Sequence, residues 1–504
     1  MDALQVPGLY GEETDQVELV ETHISYLFLT NRFVYKLKKP LQFDFLDYST
    51  LEQRRCACEA ELLLNRRLAA DVYLDVVAIG RDDQGNWRIA NDQNVNLKVD
   101  DWLVRMRRLP AERCLTAMID AKTCSDSHVS DIIRLLSDFY RSCLPVRAAE
   151  YCAQSFRRIV DNREELLSPE HALPSERVQR VTAAQLQFLF INDDLFQRRV
   201  DERHIVEGHG DLRAEHIYMT QRPVVIDCIE FSAELRTLDT ADELCFFAMT
   251  CDKRGAEYVG ARVLREVCDA LGDRPGEKLL NFYRSYRACV RAKVAALRAK
   301  QTAALAAPSM QDEAASYLDL ALEYAKGLGS PFALVVRGLS GSGKSTLASV
   351  LARHTGATHL STDELRKQSS GPQASHATDY SEASRQGVYD TMVHRAISQI
   401  AIGKSVILDG TFQKADLLSR TISRLCEESG NVQVVTCICP HEVALRRIRE
   451  RRQTETTSDA DERVYAQQVK QSEPVPQNIA AAEVETTQDE SKLLAQLRKI
   501  LQPD

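Results

Sequence analysis

Short apolar runs with period-two alternation dominate the first part of the chain and predict β-strands. Because Ser49-Thr-Leu-Glu52 has the form of a capping box before helical apolar spacing, a helix is predicted from there to about Leu68. The predicted strands are Thr22–Leu29, Phe33–Lys38, Val72–Ile79, Trp87–Ala90 and Asp101–Arg108. Helical spacing follows from about Ser127. The pattern therefore predicts a strand-rich small lobe at about 1–110 and a helical lobe at about 111–329.

A second domain is predicted after Gly327-Leu-Gly-Ser-Pro331, whose glycines and proline are typical of a boundary. The apolar run Phe332–Val336 then precedes a glycine-rich loop and a new helical pattern. Strand, loop and helix in this order are typical of an α/β domain with a parallel sheet. We therefore predict domains at 1–329 and 330–504.

Composition narrows the class of protein. A chain of 504 residues is too long for one core. Its 64 Lys and Arg against 73 Asp and Glu give a net charge of −9, which does not favour wholesale nucleic-acid binding. We expect the 14 cysteines to be reduced, because the sequence shows no export signal. Without an apolar run of membrane-spanning length, we expect a cytoplasmic protein without a membrane partner.

The glycine-rich loop fits the phosphate-binding motif G-x-x-x-x-G-K-[ST] in its proper strand–loop–helix context. Its backbone N–H groups would face phosphate oxygens, with Lys344 on the β and γ phosphates and Ser345 on Mg²⁺. The residues predicted to bind ATP here are Gly338, Ser340, Gly341, Ser342, Gly343, Lys344, Ser345 and Thr346. ATP and Mg²⁺ are thus the predicted cofactors.

Two carboxylates and an arginine indicate a small kinase rather than a general nucleotide switch. Asp363 lies 19 residues after Lys344, so it could accept a hydrogen bond from an acceptor hydroxyl as the catalytic residue. Arg366 would bind the phosphate of the acceptor or the transferring one. Thr362 or Asp363 capping a helix is the structural alternative. Asp409 ends the apolar run Ser405–Leu408 and suits a Mg²⁺ contact.

Five arginines lie within seven residues of one predicted helix and lack obvious acidic partners. They are Arg446, Arg447, Arg449, Arg451 and Arg452. Such a cluster favours a lid that closes over ATP phosphates. The arginines predicted to contact ATP are Arg446, Arg449 and Arg451.

In the first domain, His209-Gly-Asp211 forms a loop and Asp227 follows an apolar run sixteen residues later. Phosphoryl transfer to a hydroxyl requires one carboxylate to accept the hydroxyl's hydrogen bond and another to hold Mg²⁺ on ATP. Asp211 capping a turn is the structural alternative for the first of these. The paired spacing favours catalysis.

His209-Gly-Asp211-Leu with Ile226-Asp227 resembles the catalytic loop and metal aspartate of aminoglycoside phosphotransferases and choline-kinase-like enzymes. The resemblance implies an α+β two-lobed protein-kinase-like fold, with Asp211 as catalytic base and Asp227 as principal Mg²⁺ ligand. It also implies a lysine on the α and β phosphates, Lys36, paired with a helical glutamate, Glu59. Spacing alone does not choose between Lys36 and Lys38, or between Glu59 and Glu61.

The chain departs from this family at His216, five residues after Asp211. The family has an asparagine there as second metal ligand. Imidazole is a poorer Mg²⁺ ligand than an amide or carboxylate oxygen. A single-metal site or a changed ion preference through His216 is therefore expected.

The C-terminal domain resembles P-loop kinases such as polynucleotide 5′-kinase, gluconate kinase and zeta-type toxins. The whole chain resembles the bacterial bifunctional family that joins an aminoglycoside-phosphotransferase-like domain to a P-loop ATP-binding domain. This implies a bifunctional phosphotransferase acting on hydroxyl groups of small molecules. A nucleic-acid 5′ end is an alternative acceptor that the net charge does not favour, and a regulatory protein with an inactive first domain is the alternative function.

Overall fold

The computed structural model describes residues 2–43, 46–90, 97–301, 307–370, 382–452 and 461–502. The strands are β1 (Glu18–Glu21), β2 (Ser25–Leu29), β3 (Phe33–Lys38), β4 (Gln42–Phe43), β5 (Leu46–Asp47), β6 (Tyr73–Arg81), β7 (Trp87–Ala90), β8 (Lys98–Arg107), β9 (Ile205–Glu207), β10 (Ile217–Tyr218), β11 (Val224–Val225), β12 (Thr237–Asp239), β13 (Ala333–Arg337), β14 (Thr358–Ser361), β15 (Val406–Asp409), β16 (Val432–Ile438) and β17 (Ala482–Glu485).

The helices are α1 (Leu51–Ala69), α2 (Leu115–Asp120), α3 (Asp126–Ser142), α4 (Tyr151–Leu166), α5 (Ser175–Ile191), α6 (Asp193–Asp201), α7 (Ala233–Arg236), α8 (Thr240–Asp252), α9 (Glu257–Leu271), α10 (Glu277–Gln301), α11 (Ala307–Ala325), α12 (Lys344–Thr355), α13 (Thr362–Ser370), α14 (Glu382–Ala401), α15 (Ala415–Glu428), α16 (His441–Arg452), α17 (Glu462–Gln471) and α18 (Glu490–Leu501). None of these described helices is both long and apolar enough to cross a membrane.

The chain forms two compact units whose segments alternate along the sequence. The first unit contains Met1–Tyr151 and Arg198–Met310, and the second contains Cys152–Gln197 and Gln311–Asp504. The sequence predicted a domain change between residues 329 and 330 and gave no sign that 152–197 groups with the second unit. Each unit has its own sheet.

The sheet of the first unit has six antiparallel strands in the order β1-β2-β3-β8-β6-β7. The predicted strand Phe33–Lys38 is confirmed as β3, and the predicted run from Thr22 to Leu29 contains β2. The alternation of β3 directs Lys36 and Lys38 to the same face, and both are buried. The sequence pattern did not reveal β1, because all four of its residues are exposed.

Helix α1 packs against β6 and β8 of this sheet. Its cap is Thr50, whose side chain accepts a hydrogen bond from the Gln53 N–H while the Gln53 side chain accepts one from the Thr50 N–H. The predicted box at Ser49 and Glu52 is therefore wrong by one residue. A glutamine in the third helical position completes the reciprocal pair as well as a glutamate does.

The helical part of the first unit is built around α8, which packs against α9 and α10 and is buried along most of its length. Charged side chains in this region are paired. Arg199 Nε lies 2.7 Å from Asp239 Oδ2, and its Nη1 lies 2.6 Å from Asp273 Oδ1. Pairing of this kind offsets the cost of removing a charge from water.

The second unit contains the predicted parallel sheet, with five strands in the order β14-β15-β13-β16-β17. The central strand β13 is buried on both faces. Leu334 and Val336 face one apolar core, whereas Ala333 and Val335 face another. Helices on both faces of a parallel sheet explain why this run reads as continuously apolar.

Residues from the middle of the sequence complete one of these cores. Phe190 and Ile191 at the end of α5 are buried with residues of α12 and α18. Gln187 of the same helix donates from Nε2 to the backbone oxygen of Ser330 at 3.0 Å. The helix α5 thus forms part of the second unit although the glycine-rich boundary lies far beyond it in the sequence.

Candidate functional sites

The glycine loop of the second unit connects β13 to α12, as predicted. Gly341 and Gly343 have φ values of 77° and 87°, which residues with a side chain rarely adopt. A Cβ atom on Gly341 would lie 2.5 Å from the Ala444 oxygen, and one on Gly343 would lie 2.8 Å from Thr486 Oγ1. The loop therefore requires glycine for both its conformation and its close packing.

Lys344 is the first residue of α12, and its ammonium group turns back onto the loop. Its Nζ donates to the backbone oxygen of Leu339 at 3.0 Å. Burial lowers the pKa of Lys344, and the nearby Asp409 charge opposes that shift. A phosphate oxygen is a stronger acceptor for an ammonium group than a neutral carbonyl, so it can replace Leu339 as the partner.

Asp409 ends β15, next to the central strand, and is almost fully buried. Burial alone would raise its pKa, but a hydrogen bond with His359, the Lys344 charge and the Ser345 hydroxyl lower it. His359 Nε2 lies 3.3 Å from Asp409 Oδ2. An ionised carboxylate beside a serine hydroxyl is a donor set that fits Mg²⁺.

Asp363 and Arg366 lie one turn apart at the start of α13, with Arg366 Nη1 3.3 Å from Asp363 Oδ1. Their charges act on Tyr389, whose pKa is raised mainly by burial. The Tyr389 hydroxyl lies 3.3 Å from Thr411 Oγ1 and accepts the N–H of Phe412 at 3.2 Å. These groups form a polar cluster in the second unit, and the acceptor role of Asp363 and Arg366 stays a prediction.

The arginines of α16 differ from the expected lid in their partners. Arg446 lies 3.9 Å from Glu450, and Arg449 lies 2.6 Å from Glu462. Both arginine side chains are mostly exposed. Glu450 and Glu462 thus supply acidic partners that the sequence did not predict. Arg451 does act on the loop, because its positive charge contributes to the lowered pKa of Lys344.

Arg447 of this helix contacts the glycine loop, with its Nη1 3.4 Å from the Gly341 oxygen, and the sequence did not single it out. Its Nη1 and Nη2 donate to Thr486 Oγ1 at 3.0 Å and to the Thr486 backbone oxygen at 2.9 Å. Thr486 Oγ1 in turn donates to the Ser342 backbone oxygen at 2.6 Å. Arg447 and Thr486 therefore hold the loop through its backbone oxygens.

In the first unit, Lys36 of β3 lies between two carboxylates. Its Nζ is 2.7 Å from Glu61 Oε1 and 2.8 Å from Asp227 Oδ1. Burial alone would lower the pKa of Lys36, but the charges of Asp227 and Glu61 raise it well above its ordinary value. The predicted partner Glu59 is wrong in this structure. It is half-exposed and pairs with Arg55 one turn earlier in α1.

Lys38 forms a second ion pair with the same glutamate. Its Nζ lies 2.7 Å from Glu61 Oε2 and also contacts Glu230 and the Tyr48 hydroxyl. The side chains of Lys38 and Glu61 are fully buried, and that of Glu230 is nearly so. Each oxygen of Glu61 therefore binds a different lysine, and the open choice between Lys36 and Lys38 becomes a shared network. Burial alone would lower the pKa of Lys38, but Glu230 and Glu61 raise it well above its ordinary value.

The backbone at Asp227 is in the left-handed region, with φ at 65°. Such a conformation costs free energy in a residue other than glycine and persists when neighbouring groups hold it. The Asp227 N–H donates to the Tyr73 hydroxyl at 3.1 Å, and the next N–H, of Cys228, donates to Asn65 Oδ1 at 2.8 Å. Residues of α1 and β6 thus fix the direction of this carboxylate.

A buried glutamate on α8 organises the His209-Gly210-Asp211 loop. Glu243 accepts the N–H of His209 at 2.9 Å and also that of Gly210, and it accepts the Tyr140 hydroxyl at 2.9 Å. Burial lowers the pKa of His209 to about 4. His209 is therefore neutral near pH 7 and acts as part of the scaffold of the loop.

Asp211 is paired with Arg213, whose Nη2 donates to Asp211 Oδ2 at 2.9 Å. Burial alone would raise the pKa of Asp211, but the charge of Arg213 and its hydrogen bond lower it to about 2. Burial and Arg213 together lower the pKa of His216 to about 4. An ionised Asp211 and a neutral His216 thus face the same region as Asp227.

Asp211, His216 and Asp227 bring ligand atoms within 4.8 Å of one another. The Asp227 side chain is 47% exposed, and its carboxylate oxygens suit Mg²⁺. His216 Nε2 lies 3.7 Å from Asp227 Oδ2 but is also 2.9 Å from Arg213 Nη2. Asp227 is therefore the donor that fits a metal ion best, whereas His216 is already hydrogen-bonded.

Sequence reasoning missed Glu230, Glu243 and Arg213 in the first unit and Arg447 in the second. A weak signal existed for Glu230, because a third acidic residue closely follows Asp227 in the same segment. Arg213 lies inside the motif that was recognised, yet a single charged residue there gives no direction for its side chain. Contacts between distant segments, such as that of Glu243 with the loop, have no sequence signature.

Comparison with curated proteins gives relatives over most of the chain. The uncharacterized protein Rv2004c of Mycobacterium tuberculosis (strain H37Rv) is 31% identical over 408 residues, which are 79% of this chain and 78% of the relative. The chain belongs to the family of this protein. The uncharacterized protein Mb2027c of Mycobacterium bovis gives the same identity and coverage. The aligned length exceeds either unit alone, so the family shares parts of both.

The family model of an AAA domain matches residues 333–475, from β13 to beyond α17. Solved structures that overlap the chain include a gluconokinase from Sinorhizobium meliloti, 19% identical, covering 34% of this chain and 94% of its own, with a TM-score of 0.26. An APS kinase of Mycobacterium tuberculosis is 18% identical and covers 34% of this chain and 98% of its own, with a TM-score of 0.27. Sequence identities and TM-scores as low as these give no information about the substrate of this chain.

Proposed function

We propose that this protein is a bifunctional, ATP-dependent phosphotransferase that phosphorylates hydroxyl groups of small molecules. The observation that carries the proposal is Lys36 between Glu61 and Asp227, because a lysine held in this way would bind ATP phosphates in the first unit, besides the glycine loop of the second. Both reactions would break the bond from the γ-phosphorus of ATP to its bridging oxygen and form a bond from that phosphorus to the acceptor oxygen. The products would be ADP and a phosphate monoester.

In the second unit, the glycine loop would bind the ATP phosphates through its N–H groups and Lys344. Ser345 and Asp409 would hold Mg²⁺, which neutralises charge on the phosphates. Asp363 would accept the acceptor hydroxyl's hydrogen bond, and Arg366 would bind phosphate oxygens. The AAA-domain match over 333–475 supports nucleotide binding by this unit.

In the first unit, Lys36 would bind the α and β phosphates while Glu61 keeps it extended. Asp227 would hold Mg²⁺ on the phosphates. Asp211, with a pKa of about 2, is a weak base, so its main task would be to orient the acceptor hydroxyl and accept its proton late in the transfer. A loose transition state makes little demand on proton removal. The shared network with Lys38 and Glu230 supports a rigidly assembled site.

The test uses full-length variants and two measurements. Lys344→Met should reduce the number of ATP-analogue molecules bound per chain from two to one, measured by equilibrium binding with a labelled non-hydrolysable analogue. Asp211→Asn should keep both bound, because it removes only the group that faces the acceptor. A screen of hydroxyl metabolites for ATP-dependent phosphorylation should then give one set of products lost in each variant.

Matched controls are an exposed lysine and an exposed aspartate. Lys326→Met and Asp138→Asn change the same side chains at sites that are mostly solvent-exposed, and should leave binding and products unchanged. If the unaltered chain binds a single analogue molecule, or if Asp211→Asn retains every product, the first unit is not a phosphotransferase.

The alternative is a regulator in which the first unit binds ATP without transferring it. The engagement of His216 by Arg213 favours this alternative, since an asparagine metal ligand is missing. It predicts that Asp211→Asn changes no product while Lys36→Met changes the rate of the second unit. Products that disappear with Asp211→Asn exclude it.

A further inference from the structure

We propose that the first unit works with one metal ion, and that the guanidinium of Arg213 takes the place of a second. This inference rests on the proposed phosphotransfer by that unit. It concerns which positive charge, besides an ion that Asp227 would hold, lies near the transferring phosphoryl group.

Both ring nitrogens of His216 are already hydrogen-bonded. Nδ1 lies 2.9 Å from the backbone oxygen of Asp211, and Nε2 lies 2.9 Å from Arg213 Nη2. A backbone oxygen only accepts and a guanidinium only donates, so Nδ1 carries the hydrogen and Nε2 offers its lone pair to Arg213. The imidazole therefore has no free lone pair for a metal ion.

Arg213 is held at this position from three sides. It is almost fully buried, and it contacts Asp211 and Glu215 through charged hydrogen bonds as well as His216. Its charge thus lies among the same carboxylates that a second dication would need. Binding a second divalent ion at His216 would break the hydrogen bond between Arg213 and His216. It would also place the charge of the ion next to the positive guanidinium, which repels it.

A guanidinium can supply what the second ion would supply. Its positive charge stabilises the charge on nearby phosphate oxygens, and it stays charged at any working pH. Arginines that stabilise the charge of a transferring phosphoryl group occur in other phosphotransferases. Because Arg213 also binds Asp211, it orients the acceptor-binding carboxylate and the phosphoryl group relative to each other. This gives Arg213 a positioning and electrostatic role in the proposed reaction.

The experiment counts metal ions in the full-length Lys344→Met chain, in which the first unit is the proposed nucleotide site. Mn²⁺ replaces Mg²⁺, and electron paramagnetic resonance measures bound Mn²⁺ per bound molecule of a non-hydrolysable ATP analogue. We expect one ion. Two ions, with the spin coupling of a close pair, would overturn the inference. No bound analogue would instead remove the proposed function of the first unit.

Two further variants in the same background test the residues. Arg213→Met with His216→Asn should raise the count to two, because it removes the cation and supplies an amide oxygen. His216→Asn alone should stay at one, since Arg213 remains, and Arg222→Met, at an exposed turn, is the matched arginine control. A double variant that folds by circular dichroism and still binds one ion would show that Arg213 does not exclude the second. Should it not fold, the count in the Lys344→Met chain decides alone.

Discussion

Lys38→Met is the substitution that most directly tests the charge network of the first unit. It removes the cation that Glu61 and Glu230 share while keeping a side chain of similar length. Lys38 and Glu61 have fully buried side chains, and Glu230 is 4% exposed, so water cannot replace the lost charge. Breaking a buried ion pair at one partner costs about 3–5 kcal/mol. Against a typical domain stability of about 5–15 kcal/mol, this is a large loss.

Native-state hydrogen exchange, read by peptide mass spectrometry, is the suitable assay. A chain of two units need not unfold in one step, so a single melting temperature would not isolate the effect. Peptides that contain β3 and α1 report on the network itself. Since about 1.4 kcal/mol changes an equilibrium tenfold, the most protected amides there should exchange about 10²- to 10⁴-fold faster in Lys38→Met.

Two companion variants make the result interpretable. Lys98→Met alters an exposed lysine of β8 in the same sheet and should cost about 0.5 kcal/mol or less. Lys38→Met with Glu230→Gln removes one charge of each sign and leaves the Lys36–Glu61 pair, so it should recover much of the protection. Unchanged exchange in the single variant, or a double variant no better than the single one, would refute the reasoning.

Three further outcomes are expected. Gly343→Ala should weaken binding of an ATP analogue by the second unit at least about tenfold in calorimetry, because the new Cβ would meet Thr486 Oγ1 at 2.8 Å in a residue with φ at 87°. Arg447→Met should weaken it by about 5- to 10-fold through loss of the bonds to Thr486, whereas Arg446→Met, at a mostly exposed position, should not. His209 has a folded pKa of about 4, below its unfolded value, so the unfolded chain takes the proton first. The stability that this group contributes is then full above about pH 6.5 and should fall by up to about 3 kcal/mol toward pH 4. The measurement is hydrogen exchange of peptides that contain the His209 loop, corrected for the intrinsic pH dependence of exchange, and the loss should be smaller in His209→Gln.

The phosphate loop of the second unit is the part of the structure that the sequence predicts best. The backbone conformation is local there, since Gly341 and Gly343 need positive φ values and Lys344 follows them directly. The strand before it and the helix after it are confirmed as β13 and α12. Local backbone demands of this kind leave a readable spacing.

The ion-pair partners of Lys36 could not be predicted from sequence spacing in the same way. Glu59 and Glu61 lie two positions apart on a helix and so point to different sides, and only the packing of α1 on the sheet decides which one faces β3. Glu230 reaches Lys38 across 192 residues. Likewise the side-chain direction of Arg213 follows from Asp211, Glu215 and His216 together. Such choices depend on tertiary contacts, which single-residue spacing does not encode.

The grouping of residues 152–197 with the second unit has a consequence for synthesis. Phe190 and Ile191 are buried in a core whose other members lie between Phe332 and Leu501. At about 5–20 residues/s, a ribosome needs about 15–60 s to produce those later residues. During that interval the apolar end of α5 is made but uncovered, within a nascent chain whose first segments can already be packing. A chaperone that binds exposed apolar helices would find its substrate in this stretch, and in newly made chains more than in finished ones.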